Sequence, residues 1–297
     1  LILFFFFLAV NSLLRKQNTL KIIALAFLGI TSLRGMLLCG GFFLFEIALL
    51  YLDKNLFNKE TIKKLIKQYT IAAIPSLIFI IGRLYFKGWV SSHPEFPWLE
   101  FRQVVNFKEF TRNVIVLTHR YLDFGKISVF LFLFFAIIKL KSLKNSINKE
   151  IILLAILPTL TIIITSLREV NPMGHRYFMI SFIGFILLST HIIYQQKWKF
   201  KSITYGVLLV SLIGGNLWIY PKHIAQGWDA SLTHLPYYNL RKKAIYYLDK
   251  NNIPFTDVTT FSPNATIIDN VDLNGDKREF KPFDNKSEYV ITSNVYN

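Results

Sequence analysis

Cysteine and acidic side chains are scarce in this chain, and each scarcity removes a class of function. The single cysteine, Cys39, sits in an apolar run, which excludes an internal disulfide framework and a cysteine-based metal site. Acids number 18 against 34 Lys and Arg in 297 residues, for a formal charge of +16. No GxGxxG, P-loop, HExxH or GxSxG signature occurs, and no internal repeat or low-complexity linker is visible. Asn270-Val-Asp272-Leu-Asn274-Gly275 imitates the start of a calcium loop, but its twelfth position is Lys281 where an acid is required. The first residues, Leu-Ile-Leu-Phe-Phe-Phe-Phe-Leu-Ala-Val, lack the basic leader and small-residue site of a signal peptide. They lead us to expect that the sequence begins inside a transmembrane helix, with more chain upstream.

What is abundant is apolar surface. Hydrophobic residues make up 53% of the chain, aromatics 16%, and the mean hydropathy is +0.39. Long apolar runs at that level exclude a disordered chain and argue for an α-helical polytopic membrane protein. Candidate spans are 1–14, 20–33, 35–52, 69–86, 127–140, 151–167, 177–194 and 203–220, giving about 7–8 crossings. The short segments between them are basic: Arg15/Lys16/Lys21, Lys54/Lys59/Lys63/Lys64/Lys67, Lys139/Lys141/Lys144/Lys149 and Lys197/Lys199/Lys201. Positive charge in short loops marks the cytoplasmic side. All four fall on one side only if 20–52 crosses twice around Arg34 or re-enters the membrane there. The turn at Arg34, segment 87–126, loop 168–176 and everything after Tyr220 then face outward. The expected address is a membrane crossed several times.

The positive charge belongs to the bundle. Residues 221–297 carry nine basic and nine acidic residues, whereas 1–220 carry 25 basic against 9 acidic. A soluble nucleic-acid binder would concentrate its charge on the polar domain, so no nucleic-acid partner is expected. We therefore divide the chain into a transmembrane helical bundle, 1–220, and a small extracytoplasmic α/β domain, 221–297. Within the bundle, 87–126 reads as an external loop with an amphipathic helix, whose face is Phe107, Phe110, Val114, Leu117 and Tyr121. That helix lies at the membrane interface or packs on the soluble domain. In 221–297, Leu240, Ala244 and Leu248 define a helix face closed by Asn251-Asn252 and Pro254. Strands are expected at 258–261, 266–268 and 289–293, with a turn at Asn274-Gly275. Asn264 and Asn285 open formal glycosylation sequons.

Several polar residues interrupt the apolar runs. Arg34 at an external turn suits bidentate capture of phosphate, or snorkels to the interface as an anchor. The loop from Leu167 through Arg168-Glu169-Val170-Asn171-Pro172-Met173-Gly174-His175-Arg176-Tyr177 packs two Arg, one Glu, one His and a Tyr into a short external turn between spans. Arg168 and Arg176 offer a phosphate or pyrophosphate clamp, His175 a donor, and Tyr177 a face for a sugar or isoprenoid. The plain alternative is helix-end anchoring with an Arg–Glu pair. His93 and Trp98 lie in the external loop, and His119, Arg120 and Asp123 precede a span, where they border a headgroup site or the interface itself. Glu46, seven residues from Asp53, is a proton relay or a structural polar contact, with the second reading favoured by its cytoplasmic depth. His191, near a span end, has the same structural reading. No metal site is expected.

Ser-Leu-Arg34-Gly-Met and Gly-His-Arg176-Tyr177-Phe-Met-Ile-Ser-Phe-Ile-Gly-Phe-Ile-Leu-Leu resemble segments of polyprenyl-phosphate-sugar-dependent membrane glycosyltransferases of the GT-C class. The similar branch is the bacterial protein-mannosyltransferase-like and aminoarabinose-transferase-like one. The Gly-Trp…His-Pro…Pro-Trp loop and the closing Tyr289-Val-Ile-Thr-Ser-Asn294 fit the same resemblance. It implies transfer of a sugar from a lipid phosphate to a glycan, lipid or protein acceptor on the external face. It implies a lipid-linked sugar donor as co-substrate, leaves a divalent metal open, and assigns Arg34, Arg168, His175 and Arg176 to the phosphate. The family's catalytic acid is expected in a first external loop, which would precede Leu1; Glu169 and Asp123 are poor substitutes. Competing readings are an O-antigen ligase or polymerase, a transporter or flippase, and a non-catalytic membrane scaffold.

Overall fold

A computed structural model describes residues 1–56, 58–90, 103–139, 148–170, 174–195, 199–218, 232, 235–261 and 264–293. The chain falls into two compact units, one of residues 1–122 with 129–206, the other of 123–128 with 207–297. The division lies inside the last apolar helix, earlier than the boundary at 220 drawn from composition.

The first unit is almost wholly helical. Helices α1 (Ile2–Leu14) and α2 (Asn18–Thr31) form a hairpin, and α2 gives way at Ser32 to α3 (Leu33–Leu52). There follow α4 (Lys59–Lys87), α5 (Phe107–Leu122), α6 (Ile127–Lys139) and α7 (Lys149–Arg168). A 3-10 turn, His175–Phe178, opens α8 (Met179–Gln195); α9 (Lys201–Gly214) runs on into the second unit, where a second 3-10 turn, Gly215–Leu217, follows it. Asn58 and Asn148 start α4 and α7 by accepting from the N–H groups of Glu60 and Glu150. Gly88, at φ 73°, ends α4 in the left-handed conformation that glycine takes without strain.

Helix α2 packs against α1, α3 and α4, and α7 packs against α3 and α8. Phe6, Leu25, Leu28, Phe42, Phe45 and Phe178 are buried where these helices meet. Small residues let the backbones approach: a Cβ on Gly184 would lie 3.0 Å from the Ala155 Cα. The outer faces are apolar as well, with Ile78, Ile81 and Ile164 each more than 60% exposed. A helix apolar on every side requires a non-aqueous surrounding.

Among the described residues, four helices are long and apolar enough to cross a membrane: Leu33–Leu52, Lys59–Lys87, Lys149–Arg168 and His175–Gln195. The pair Phe107–Leu122 and Ile127–Ile138, bent by 93°, adds a fifth if it counts as one span. Ile2–Leu14, Asn18–Thr31 and Lys201–Leu217 are shorter apolar helices. Thirteen residues rise only about 20 Å, against roughly 30 Å of hydrocarbon. The eight candidate spans therefore resolve into unequal classes. Lys59, Lys63, Lys64 and Lys67, expected in a loop, occupy the first turns of α4.

In the second unit α10 (Leu235–Lys250) precedes a 3-10 turn (Phe255–Asp257), β1 (Val258–Thr260), α11 (Asp269–Asp272), β2 (Lys281–Pro282) and β3 (Tyr289–Ile291). The sheet is parallel, in the order β2-β1-β3, with Thr259 opposite Lys281 and Val258 opposite Tyr289. Leu248, Val258, Ile268 and Phe280 form its core. Two expected strands are present, but 266–268 is not one. Ile267 makes a lone antiparallel bridge to Glu279, and the chain then turns into α11. The helix face is also rotated from the expected one. Leu240 is exposed, while Tyr237, Arg241 and Leu248 are buried, because the Arg241 guanidinium finds Asp272 and Asn264 inside. Asn264 is buried and accepts from Tyr237 and Arg241, which removes it as a glycan acceptor; Asn285 is exposed.

Candidate functional site

Two signals far apart in sequence meet in the first unit. Ser32 is extended (φ −175°, ψ 166°), breaking α2 from α3, and its side chain caps α3 by accepting from the Gly35 N–H at 3.1 Å. The new helix starts close against the end of the old one. A Cβ at position 35 would stand 2.0 Å from the Leu28 carbonyl oxygen, so only glycine fits. That junction puts Arg34 on the first turn of α3, with its guanidinium carbon 3.2 Å from the centroid of the Tyr177 ring. Arg176 approaches the same ring at 5.0 Å and donates from Nη2 to the Tyr177 hydroxyl at 2.9 Å. Arg34 has no carboxylate partner among the described residues. A cation over an aromatic face gains about 0.5–1 kcal/mol at an exposed site; Arg34 also hydrogen-bonds the Tyr177 side chain, and a guanidinium has further N–H donors to serve an anion.

Beside this pair, His175 is buried and its Nδ1 lies 3.2 Å from Nη1 of Arg120. A guanidinium only donates, so Nδ1 accepts and the ring proton sits on Nε2. Arg34, Arg120, His175, Arg176 and Tyr177 thus fall around one 3-10 turn.

The other half of the expected loop is held elsewhere. Val105 donates to the Arg168 carbonyl at 3.0 Å, Val170 donates to Gln103 at 3.2 Å, and Glu169 bridges Val104. Arg168 is exposed at the end of α7. Neither an Arg168–Glu169 ion pair nor a contact from either residue to Tyr177 occurs among the described residues. Among the described residues, Arg168 and Glu169 therefore neither join the cluster at Tyr177 nor pair with each other. Residues 171–173 lie outside the described residues, as do His93 and Trp98. Trp89 stacks under Arg83 at 3.9 Å. His119 is exposed on α5; Asp123 is buried in the second unit, where its Oδ1 accepts from the Phe124 N–H at 2.8 Å.

The residue missed by sequence reasoning is Asn113. Fully buried, it donates through Nδ2 to the carbonyls of Ser166 and Leu167 at 3.4 Å and of Glu169 at 2.6 Å. It satisfies the carbonyls left open at the end of α7. Arg112 donates from Nη2 to the Val170 carbonyl and, at 3.2 Å, to Asn113 Oδ1. The expected apolar face of α5 is correspondingly corrected: Leu117 and Tyr121 point inward with Asn113, while Phe107, Phe110 and Val114 are exposed. Leu117, Tyr121, Phe130, Ile163 and Phe185 line an apolar groove of about 380 Å³.

Glu46 is a structural contact. Its carboxylate accepts from Lys21 Nζ at 2.5 Å and from the Tyr69 hydroxyl at 3.0 Å. Lys21 is itself buried, which corrects its place among the loop charges. His191 accepts from the Asn148 N–H at 3.3 Å, at the start of α7. No cluster of His, Cys, Asp and Glu among the described residues could hold a metal ion. Compared with family models, with curated proteins and with solved structures, the chain matches none.

Proposed function

We propose that the chain is a membrane glycosyltransferase that binds the lipid phosphate of a polyprenyl-phosphate sugar at the extracytoplasmic face of a bacterial cytoplasmic membrane. The observation that carries this reading is the convergence of Arg34 and Arg176 on Tyr177. Two guanidiniums at one aromatic ring, on helices with apolar outer faces, suit a phosphate held at headgroup depth. In the reaction the anomeric carbon leaves a phosphate oxygen for an acceptor hydroxyl oxygen, and the phosphate departs with increased negative charge. Arg34 and Arg176 stabilise that charge, and His175 donates from Nε2. The groove beneath Tyr121, whose ring packs 5.4 Å from that of Phe178, takes the isoprenoid tail. The acceptor hydroxyl gives up its proton to a general base.

The polarity rests on the lysines of 54–67 and 197–201, which face the cytoplasm by the positive-inside rule and leave the Arg34 end external. Acidic or midplane features that would favour a transporter do not support that alternative, because Glu46 is closed by Lys21 and Tyr69. The test is direct. In the protein reconstituted in vesicles, Arg34→Ala and Arg176→Ala each reduce transfer from a radiolabelled polyprenyl-phosphate sugar at least about tenfold, the loss of one charge-assisted contact, with membrane insertion unchanged. Unaltered turnover in both variants overturns the phosphate role.

A further inference from the structure

Outside this site, the outer face of α10 is a feature without a role. Tyr237, Arg241 and Leu248 turn inward. At the helical period, the opposite side is Leu235, Asn239, Lys242, Lys243, Tyr246 and Lys250, all exposed, with Leu240 and Tyr247 along one flank. Three lysines share this face with a tyrosine and a leucine, and it carries no acid. Asp249, the one carboxylate of the helix, sits at its margin and is engaged by Arg278.

We propose that this face of α10 lies on the anionic headgroup surface of the bilayer. Three observations select a lipid surface as the occupant. The composition matches one: tyrosine is favoured at headgroup level, while lysine stems cover apolar surface and deliver their charge to phosphates. The charge is of one sign, complementary to anionic lipid. Third, the same compact unit contains the apolar stretch 207–217, with Val207, Leu209, Val210, Ile213 and Leu217 exposed. Seventeen residues separate that stretch from α10, a tether of at most about 60 Å fully extended. The membrane is therefore always within reach. Docking α10 flat on the surface holds this helix at the headgroup plane.

The inference rests on the reading that the apolar helices sit in a bilayer, and the experiment separates the two. In a Cys39→Ala background, a nitroxide is attached at Asn239→Cys on the α10 face, at Lys286→Cys as an exposed site on the same unit, and at Ile78→Cys on the outer face of α4. The protein is reconstituted in vesicles of phosphatidylcholine with phosphatidylglycerol, and collision with oxygen is compared with collision with a water-soluble nickel chelate. The expected result is oxygen-favoured collision at 78, an intermediate ratio at 239 and nickel-favoured collision at 286. Lys242→Gln/Lys243→Gln/Lys250→Gln, or pure phosphatidylcholine, should shift position 239 several-fold toward nickel. Nickel access at 239 equal to that at 286, with 78 still oxygen-favoured, overturns the docking and leaves the bilayer reading standing. Nickel access at 78 overturns the bilayer reading itself. Protection at 239 that needs an added soluble oligosaccharide also overturns the proposal, in favour of a glycan-binding face.

Discussion

Charge enters the apolar bundle at two places on α3, and the bundle treats them oppositely. Glu46 lies in the second half of the helix and is enclosed: Lys21 from α2 and Tyr69 from α4 use both its oxygens, and all but a trace of the pair is hidden. Arg34 lies about 18 Å earlier along the axis, on the first turn. It is half-buried, stacked on a tyrosine ring, and paired with no carboxylate among the described residues. A closed pair adds specificity to helix packing and leaves little for a ligand. An open cation over a ring offers donors to whatever arrives. The position of a charge on a helix therefore says less about its role than the number of neighbours that already answer it.

This contrast makes its strongest prediction at the closed pair. Lys21→Met leaves a buried carboxylate without its cation and should destabilise the detergent-solubilised protein by about 3–5 kcal/mol, whereas Lys21→Met with Glu46→Leu should recover most of the loss. Arg34→Ala should lower stability by no more than about 1 kcal/mol. Equal losses at both sites in thermal unfolding would erase the distinction. Next in size is Asn113→Ala, which strips three carbonyls of their donor and should cost about 1–3 kcal/mol, with faster amide exchange confined to 166–170. A uniform rise in exchange across the chain would count against a local cap.

The smallest effect belongs to the partly exposed ion pairs that Arg278 makes in the second unit. The Arg278 guanidinium holds the Asp276 carboxyl below its ordinary range. Stability from that contact is complete above the unfolded-chain value of about 3.9 and drains as the pH falls through the lower folded value. Acid titration of hydrogen exchange in 276–282 should show this slope, and Asp276→Asn should flatten it. An unchanged slope would remove Asp276 from the account.

The apolar runs made most of the helices legible, since length and hydropathy are local properties. Arg34, Arg176 and Tyr177 were each conspicuous as polar residues at span ends, but their meeting was not, because it depends on how α3 and α8 pack. Lys21 was read as a loop charge for the same reason. A buried lysine and a cytoplasmic one look alike until the partner, 25 positions away, is in view. Asn113 left a readable trace, standing four residues before Leu117 and eight before Tyr121 on one helical face. Its polarity set it among the outward residues. On α10, Leu240 drew the apolar face toward itself, although aromatic Tyr237 and the long stem of Arg241 filled the interior instead.

The junction at Ser32-Leu33-Arg34-Gly35 gives the site an unexpected dependence on an absent atom. The Leu28 carbonyl occupies the space that any larger residue at 35 would need. Adding one carbon there would force the first turn of α3 away from α2 by more than an ångström, carrying Arg34 off the Tyr177 ring while leaving every charge in the protein intact. The aim of the guanidinium is thus stored as empty volume one residue downstream, where no inventory of charged or catalytic side chains would look for it.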